Sequence, residues 1–87
     1  MKIKDGFILR KVAGSYIAVA TGEESVNFNA MVTTNETGAF LWEKLKNETT
    51  EEELLASLLS EYDVDEDTAK EDISEFLGKL RDGELLV

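Results

Sequence analysis

The stretch Val32-Thr33-Thr34-Asn35-Glu36-Thr37-Gly38-Ala39-Phe40-Leu41-Trp42 joins a strand-like segment directly to a capped helix with a bulky apolar face. Everything before it reads as strand and everything after it as helix, so the order of elements is fixed at this junction. Phe7 to Ala13 and Tyr16 to Thr21 are rich in β-formers, and Gly14-Ser15 between them is a two-residue hairpin signal, because glycine supplies the positive φ of a tight turn. The third run alternates with period two. Val26, Phe28, Ala30 and Val32 fall on one face, and Asn27, Asn29, Met31 and Thr33 on the other. Residues 1–33 are expected to form a three-stranded antiparallel meander.

Three helices are marked by their caps. Thr34 or Asn35 opens the first, with Glu36 where the helix dipole favours a carboxylate. Its apolar face is Phe40, Leu41, Trp42 and Leu45, and Asn47 stands where a left-handed residue would end it. Thr50 and Glu53 make a capping box for the second helix, whose Leu54, Leu55, Leu58, Leu59 and Tyr62 recur at helical spacing. Asp65 caps the third, which presents Ala69, Ile73, Phe76, Leu77 and Leu80 and stops at Gly83; Glu84 to Val87 then returns to the core. Trp42 is expected to anchor helix to sheet. Gly38 inside a helix costs ~1 kcal/mol relative to alanine, so close packing is expected to require it. The expected fold is α+β and winged helix-turn-helix-like, an N-terminal three-stranded antiparallel sheet followed by a three-helix bundle. Residues 1–87 form a single domain, with the helices in 34–87.

Composition narrows the function. The chain has no histidine and no cysteine, which removes imidazole acid-base chemistry, thiol catalysis, disulfides and zinc-type ligation. No serine has a recognisable base, and the glycines never group into a phosphate-cradling loop. Asp63-Val64-Asp65-Glu66-Asp67 lacks the glycine and the twelve-residue frame of a calcium loop, and reads as a decorated helix start. No enzyme activity, metal or cofactor is expected. Nine basic residues against nineteen acidic give a net charge of −10. Residues 1–33 carry +1, from four basic and three acidic side chains, and residues 34–87 carry −11, from five and sixteen. That acidity repels nucleic acid and anionic membranes alike. Residues 65–82, which would be the recognition helix of a DNA-binding winged helix, hold seven acidic and three basic residues. The N-terminus lacks a signal peptide's apolar stretch, and no apolar run is long enough to span a bilayer, so the cytoplasm is the expected compartment.

The progression from Val32-Thr33-Thr34-Asn35 through Thr37-Gly38-Ala39, Leu41-Trp42 and Leu45 to Thr50, Glu53-Leu54 and Leu58 resembles the PqqD family. Tyr62, Asp72, Phe76-Leu77, Leu80 and the Gly83 to Leu86 ending continue the match in order and spacing. That family serves coenzyme PQQ biosynthesis as a peptide chaperone, and its relatives are the recognition elements of many ribosomally made, modified peptide natural products. The resemblance implies that a leader peptide docks as an added strand on the third strand, beside the third helix. It also implies a maturation enzyme as second partner, commonly a radical SAM enzyme. Three positions depart from the family: no Pro-Glu-Gly turn precedes the junction, Thr34 stands in place of a leucine, and Asn47 in place of a glycine. They leave the cognate peptide open.

Carried onto this chain, the docking edge is Ser25, Val26, Asn27, Phe28, Asn29, Ala30 and Met31, ending at Val32. The groove wall is the third helix, with Asp67, Lys70, Ile73 and Leu77 as candidate contacts. Phe28 is either core or pocket wall, and Asn27 and Asn29 either bond a peptide or face water. Phe76 and Leu80 share the ambiguity of Ile73 and Leu77 between core and groove, while Asp67 and Lys70 are either contacts or ordinary surface charges. An edge strand offers main-chain hydrogen bonds to an extended peptide, and also to a twin, so the expected state is a monomer or weak homodimer. The alternatives are an acidic winged-helix module that docks a basic protein through its helices and, further off, a DNA-binding regulator.

Overall fold

The computed structural model describes residues 1–21 and 32–87. Strands β1 (Phe7–Val12), β2 (Ser15–Ala20) and β3 (Val32–Thr34) form an antiparallel sheet in the order β1-β2-β3. Helices α1 (Glu36–Lys44), α2 (Glu51–Glu61) and α3 (Glu66–Asp82) follow.

The β1–β2 hairpin turns one residue earlier than its sequence signal suggests. Val12 pairs with Ser15, so Ala13 and Gly14 are the turn residues, with φ of 49° and 83°. A two-residue hairpin of this hand needs positive φ at both central positions. Gly14 takes one without strain, and Ser15 is drawn into the ladder, which leaves Ala13 in a left-handed conformation that alanine resists. Ala13→Asn is therefore expected to raise stability by about 0.5–1 kcal/mol, read as a higher urea midpoint at unchanged slope.

β3 reaches Thr34, past the end of the run that the period-two pattern marked. Thr33 and Thr34 belong to the strand, opposite Ile17 and Tyr16, and Val32 points into the core as the alternation required. The expected strand residues Ser25 to Met31 lie outside the described residues.

The helix caps follow the local chemistry. Asn35 accepts from Gly38 N–H at 2.9 Å, Thr50 from Glu53 N–H at 3.2 Å, and Asp65 from Thr68 N–H at 2.8 Å. The capping box of α2 is split between two threonines, because the Glu53 carboxylate accepts from the Thr49 hydroxyl at 2.9 Å. α1 ends at Leu45 and not at Asn47, and positive φ among the described non-glycine residues occurs at Ala13 and Glu84. At the end of α3 the Glu84 N–H donates to Arg81 O and the Leu85 N–H to Leu80 O, at 3.0 and 2.8 Å. This is a Schellman closure with Glu84, at φ 59°, in the left-handed place. Gly83 before it serves close approach, since a Cβ there would lie 3.1 Å from Val32 Cγ2.

Hydrogen bonds from Thr68, from its hydroxyl first and its backbone N–H second, hold the Asp65 carboxyl below its ordinary pKa. A carboxylate stabilised in this way supports the fold fully above its unfolded pKa, near about 4, and loses that support as pH falls through the lower folded value. Asp65→Ala is expected to lower the melting temperature at neutral pH, and the deficit is expected to vanish on acidification. A deficit independent of pH would contradict that account of the cap.

The core lies between sheet and helices. Ala18 and Val32 face Leu41, Trp42 and Leu45 of α1 and its end, Leu54 and Leu58 of α2, and five residues of α3: Ala69, Ile73, Phe76, Leu77 and Leu80. Trp42 is 1% exposed, the anchor expected of it. Ile3 and Leu85 close the base, where Ile3 bridges to Leu86 and its N–H donates to Leu45 O at 2.9 Å. The T-shaped pair of Phe40 and Tyr62, ring centroids 5.5 Å apart, ties α1 to the end of α2. No described helix is long and apolar enough to cross a membrane.

Candidate functional site: the outer edge of β3

Antiparallel pairing alternates, so each strand residue turns its N–H and C=O toward one neighbour or the other. In the tight hairpin Val12 and Ser15 bond each other, and with them Ile17 and Val19 of β2 face β1. Tyr16 and Ala18 therefore face β3, where their partners are Thr34 and Val32. Thr33 lies between these two and turns its N–H and C=O away from the sheet. Among the described residues no strand pairs with β3 on that side. The outward groups of Thr33 thus take no part in the pairing of the described strands, as at any sheet edge.

A cleft lies at the Thr34 end of this strand. One wall is the strand-to-helix junction, Thr34, Asn35, Thr37 and Gly38, and the other is Asp72, Glu75, Phe76 and Lys79 of α3. Strand and helix approach closely there because residue 38 has no side chain: a Cβ on Gly38 would sit 1.7 Å from Thr34 Oγ1. Phe76, 3% exposed, belongs to the core and forms the apolar part of the wall. Lys79 is the one cation among the lining residues. Its Nζ donates to the Thr33 carbonyl oxygen at 3.2 Å and stands 3.8 Å from Glu75 Oε1.

The family model for coenzyme PQQ synthesis protein D (PqqD) matches residues 12–86. The chain belongs to the PqqD family. A search of curated proteins gave no match. Among solved structures the PqqD fold of this chain is similar to one described as TbiB1 in complex with the TbiA(beta) leader peptide. The two are 24% identical over 99% of this chain and 94% of that one, with a TM-score of 0.72. That likeness is one of fold, the sheet followed by three helices.

The contacts expected on the third helix lie away from the β3 cleft. Lys70 and Ile73 line a separate groove against α2, with Glu51, Glu52, Leu55 and Ser74. Leu77 is fully buried and faces neither groove. Asp67 is exposed in the first turn of α3, and Lys70 pairs with Glu66 at 3.8 Å. None of these four lines the β3 cleft; residues 72, 75, 76 and 79 do, on the opposite face of α3. Of that set the sequence singled out Phe76 alone as a candidate. Lys79 had a signal, since it lies one and two turns beyond Glu75 and Asp72. The face it shares with them is legible from helical spacing, whereas the neighbour that face meets is not. The expected edge residues Ser25 to Met31 lie outside the described residues. Among the described residues no group of acidic side chains gathers to hold a metal ion.

Proposed function

We propose that this PqqD-family chain binds the leader segment of a ribosomally made precursor peptide as a strand added to the outer edge of β3, and presents it to a maturation enzyme. The observation that carries the proposal is the outward pair of backbone groups on Thr33, next in sequence to Thr34 of a cleft walled by α3. An extended peptide gains main-chain hydrogen bonds at such an edge and specificity from alternate side chains that enter the cleft. The described complex of the similar TbiB1 with a leader peptide supports the same kind of ligand here.

The sequence expectation adds Ser25, Val26, Asn27, Phe28, Asn29, Ala30 and Met31 to the peptide-binding residues; they lie outside the described residues and enter here as part of the proposal. Phe76 supplies an apolar wall, and Thr34, Asn35 and Thr37 supply polar contacts. Asp67, Lys70, Ile73 and Leu77 stand outside this cleft, so a role for Asp67 or Lys70 runs through the flank of the peptide or through the enzyme. The protein acts as a binding component and not as a catalyst, in the cytoplasm, and the enzyme it serves is a radical SAM enzyme. The acidic helices suit a partner with a basic docking face.

Calorimetric titration with a synthetic leader, taken from a small precursor peptide encoded beside the gene, tests the proposal. Saturable binding at micromolar Kd or tighter, about −8 kcal/mol or better, is the expected result. Absence of binding at ten times that concentration would contradict it.

A further inference from the structure

Lys79 has two acceptors within reach of one ammonium. One is the Thr33 carbonyl at 3.2 Å, the outward acceptor of β3; the other is the Glu75 carboxylate at 3.8 Å, one turn back on the same helix. The first belongs to the docking edge and the second does not. We infer that Lys79 is a displaceable guard on the β3 edge, holding the Thr33 carbonyl until a peptide strand takes it and then withdrawing to Glu75. The inference rests on the strand-addition proposal above.

Open strand edges pair with whatever backbone meets them, a second copy of the chain included, and lysine is a common means of blunting them. A lysine within the strand would blunt the edge permanently. Here the cation comes from a facing helix, across a cleft, and its long stem lets it leave. The side chains of Lys79 and Glu75 are 44% and 73% exposed, so both contacts are screened and weak. Such a guard does not bar a peptide that also fills the cleft. It disfavours backbone that brings one or two hydrogen bonds and nothing more, which separates a cognate leader from casual edge pairing. Glu75 acts through Lys79: by offering the ammonium a place to go, it lowers the cost of opening.

Lys79→Met keeps the stem and removes the charge. It is expected to bind the synthetic leader about threefold more tightly than wild type, the worth of one exposed charged hydrogen bond. Glu75→Gln is expected to weaken binding in the wild-type background and to have a smaller effect in Lys79→Met. In the absence of peptide, the Thr33 carbonyl carbon resonance, read through the Thr34 amide, is expected to move in Lys79→Met toward the position of an unbonded carbonyl. Equal affinity of wild type and Lys79→Met, an equal effect of Glu75→Gln in both backgrounds, or an unmoved Thr33 resonance would overturn the guard while leaving strand addition intact. A leader that binds no form of the protein would overturn strand addition and the guard together.

Discussion

Thr33→Pro is expected to abolish leader binding in a protein that remains folded. Proline removes one N–H and places a ring where it was. At Thr33 that N–H points away from β2, so the ladder loses nothing: its bonds run through Val32 and Thr34, opposite Ala18 and Tyr16. Edge positions whose N–H faces outward are where sheets accept proline, and the extended backbone at Val32 suits a residue that precedes one. An added strand, by contrast, loses the donor for its own carbonyl and meets the ring. Affinity is expected to fall by about 100-fold or more, roughly 3 kcal/mol, with little change in circular dichroism or melting temperature. Thr34→Pro is the internal control, because its N–H faces β2 and its loss damages the sheet itself. Wild-type affinity in a folded Thr33→Pro protein would place the leader elsewhere.

Gly38→Ala is expected to destabilise the fold by about 2–3 kcal/mol, although alanine is the better helix former by ~1 kcal/mol. The added methyl would lie 1.7, 2.8 and 2.9 Å from Oγ1, Cβ and Cγ2 of Thr34. Rotation of the Thr34 side chain moves two of those atoms and leaves the Cβ, so the first turn of α1 must shift away from β3. For a domain of this size the loss corresponds to a melting temperature lower by about 10 °C or more. Thr34→Ala in the same protein removes the oxygen and the methyl but not the Cβ contact, and is expected to restore part of the loss. If Gly38→Ala instead stabilised the protein, helix propensity would outweigh the contact and the close approach would not govern this junction. The junction also forms one wall of the cleft, so the double variant separates damage to the fold from damage to the site.

Local chemistry made the helices legible. Asn35, Thr50 and Asp65 cap because a side-chain oxygen two or three residues ahead of orphan N–H groups does so whatever the rest of the chain does. The apolar faces of α1, α2 and α3 are likewise a matter of spacing, and Leu41, Leu54, Leu58 and Leu77 are buried as that spacing required. Features that depend on register were less legible. Gly14 announced a turn but not whether Ala13 or Ser15 shared it, because pairing with β1 decides the matter. The alternation ending at Thr33 located β3 and its inward residue Val32, yet the strand continues through Thr34 because β2 offers Tyr16 as a partner. Ends of helices were legible in part: the last helix stops at Gly83 as its sequence suggests, whereas Asn47 looked like a left-handed stop and is not one, and the left-handed residue is Glu84, held there by the Schellman bonds to Leu80 and Arg81.

The site divides along the same line. The resemblance to the PqqD family pointed to an edge strand and the third helix. Which face of α3 meets the strand it left open, and Lys70 and Ile73 lie toward α2 while Asp72, Glu75 and Lys79 lie toward β3. The reach of Lys79 to Thr33 spans 46 residues of sequence and exists in the folded chain alone.

Amide hydrogen exchange of the free and leader-saturated protein tests the central claim most directly. Strand addition predicts that the Thr33 amide, which has no partner in the β2 ladder, gains protection on binding, together with alternate amides of residues 25–31. Amides of α2 are predicted to be unchanged. Protection gained along the α2–α3 groove at Leu55 and Ser74, with Thr33 exchanging as before, would contradict it and make this protein an acidic docking module that engages its partners through its helices.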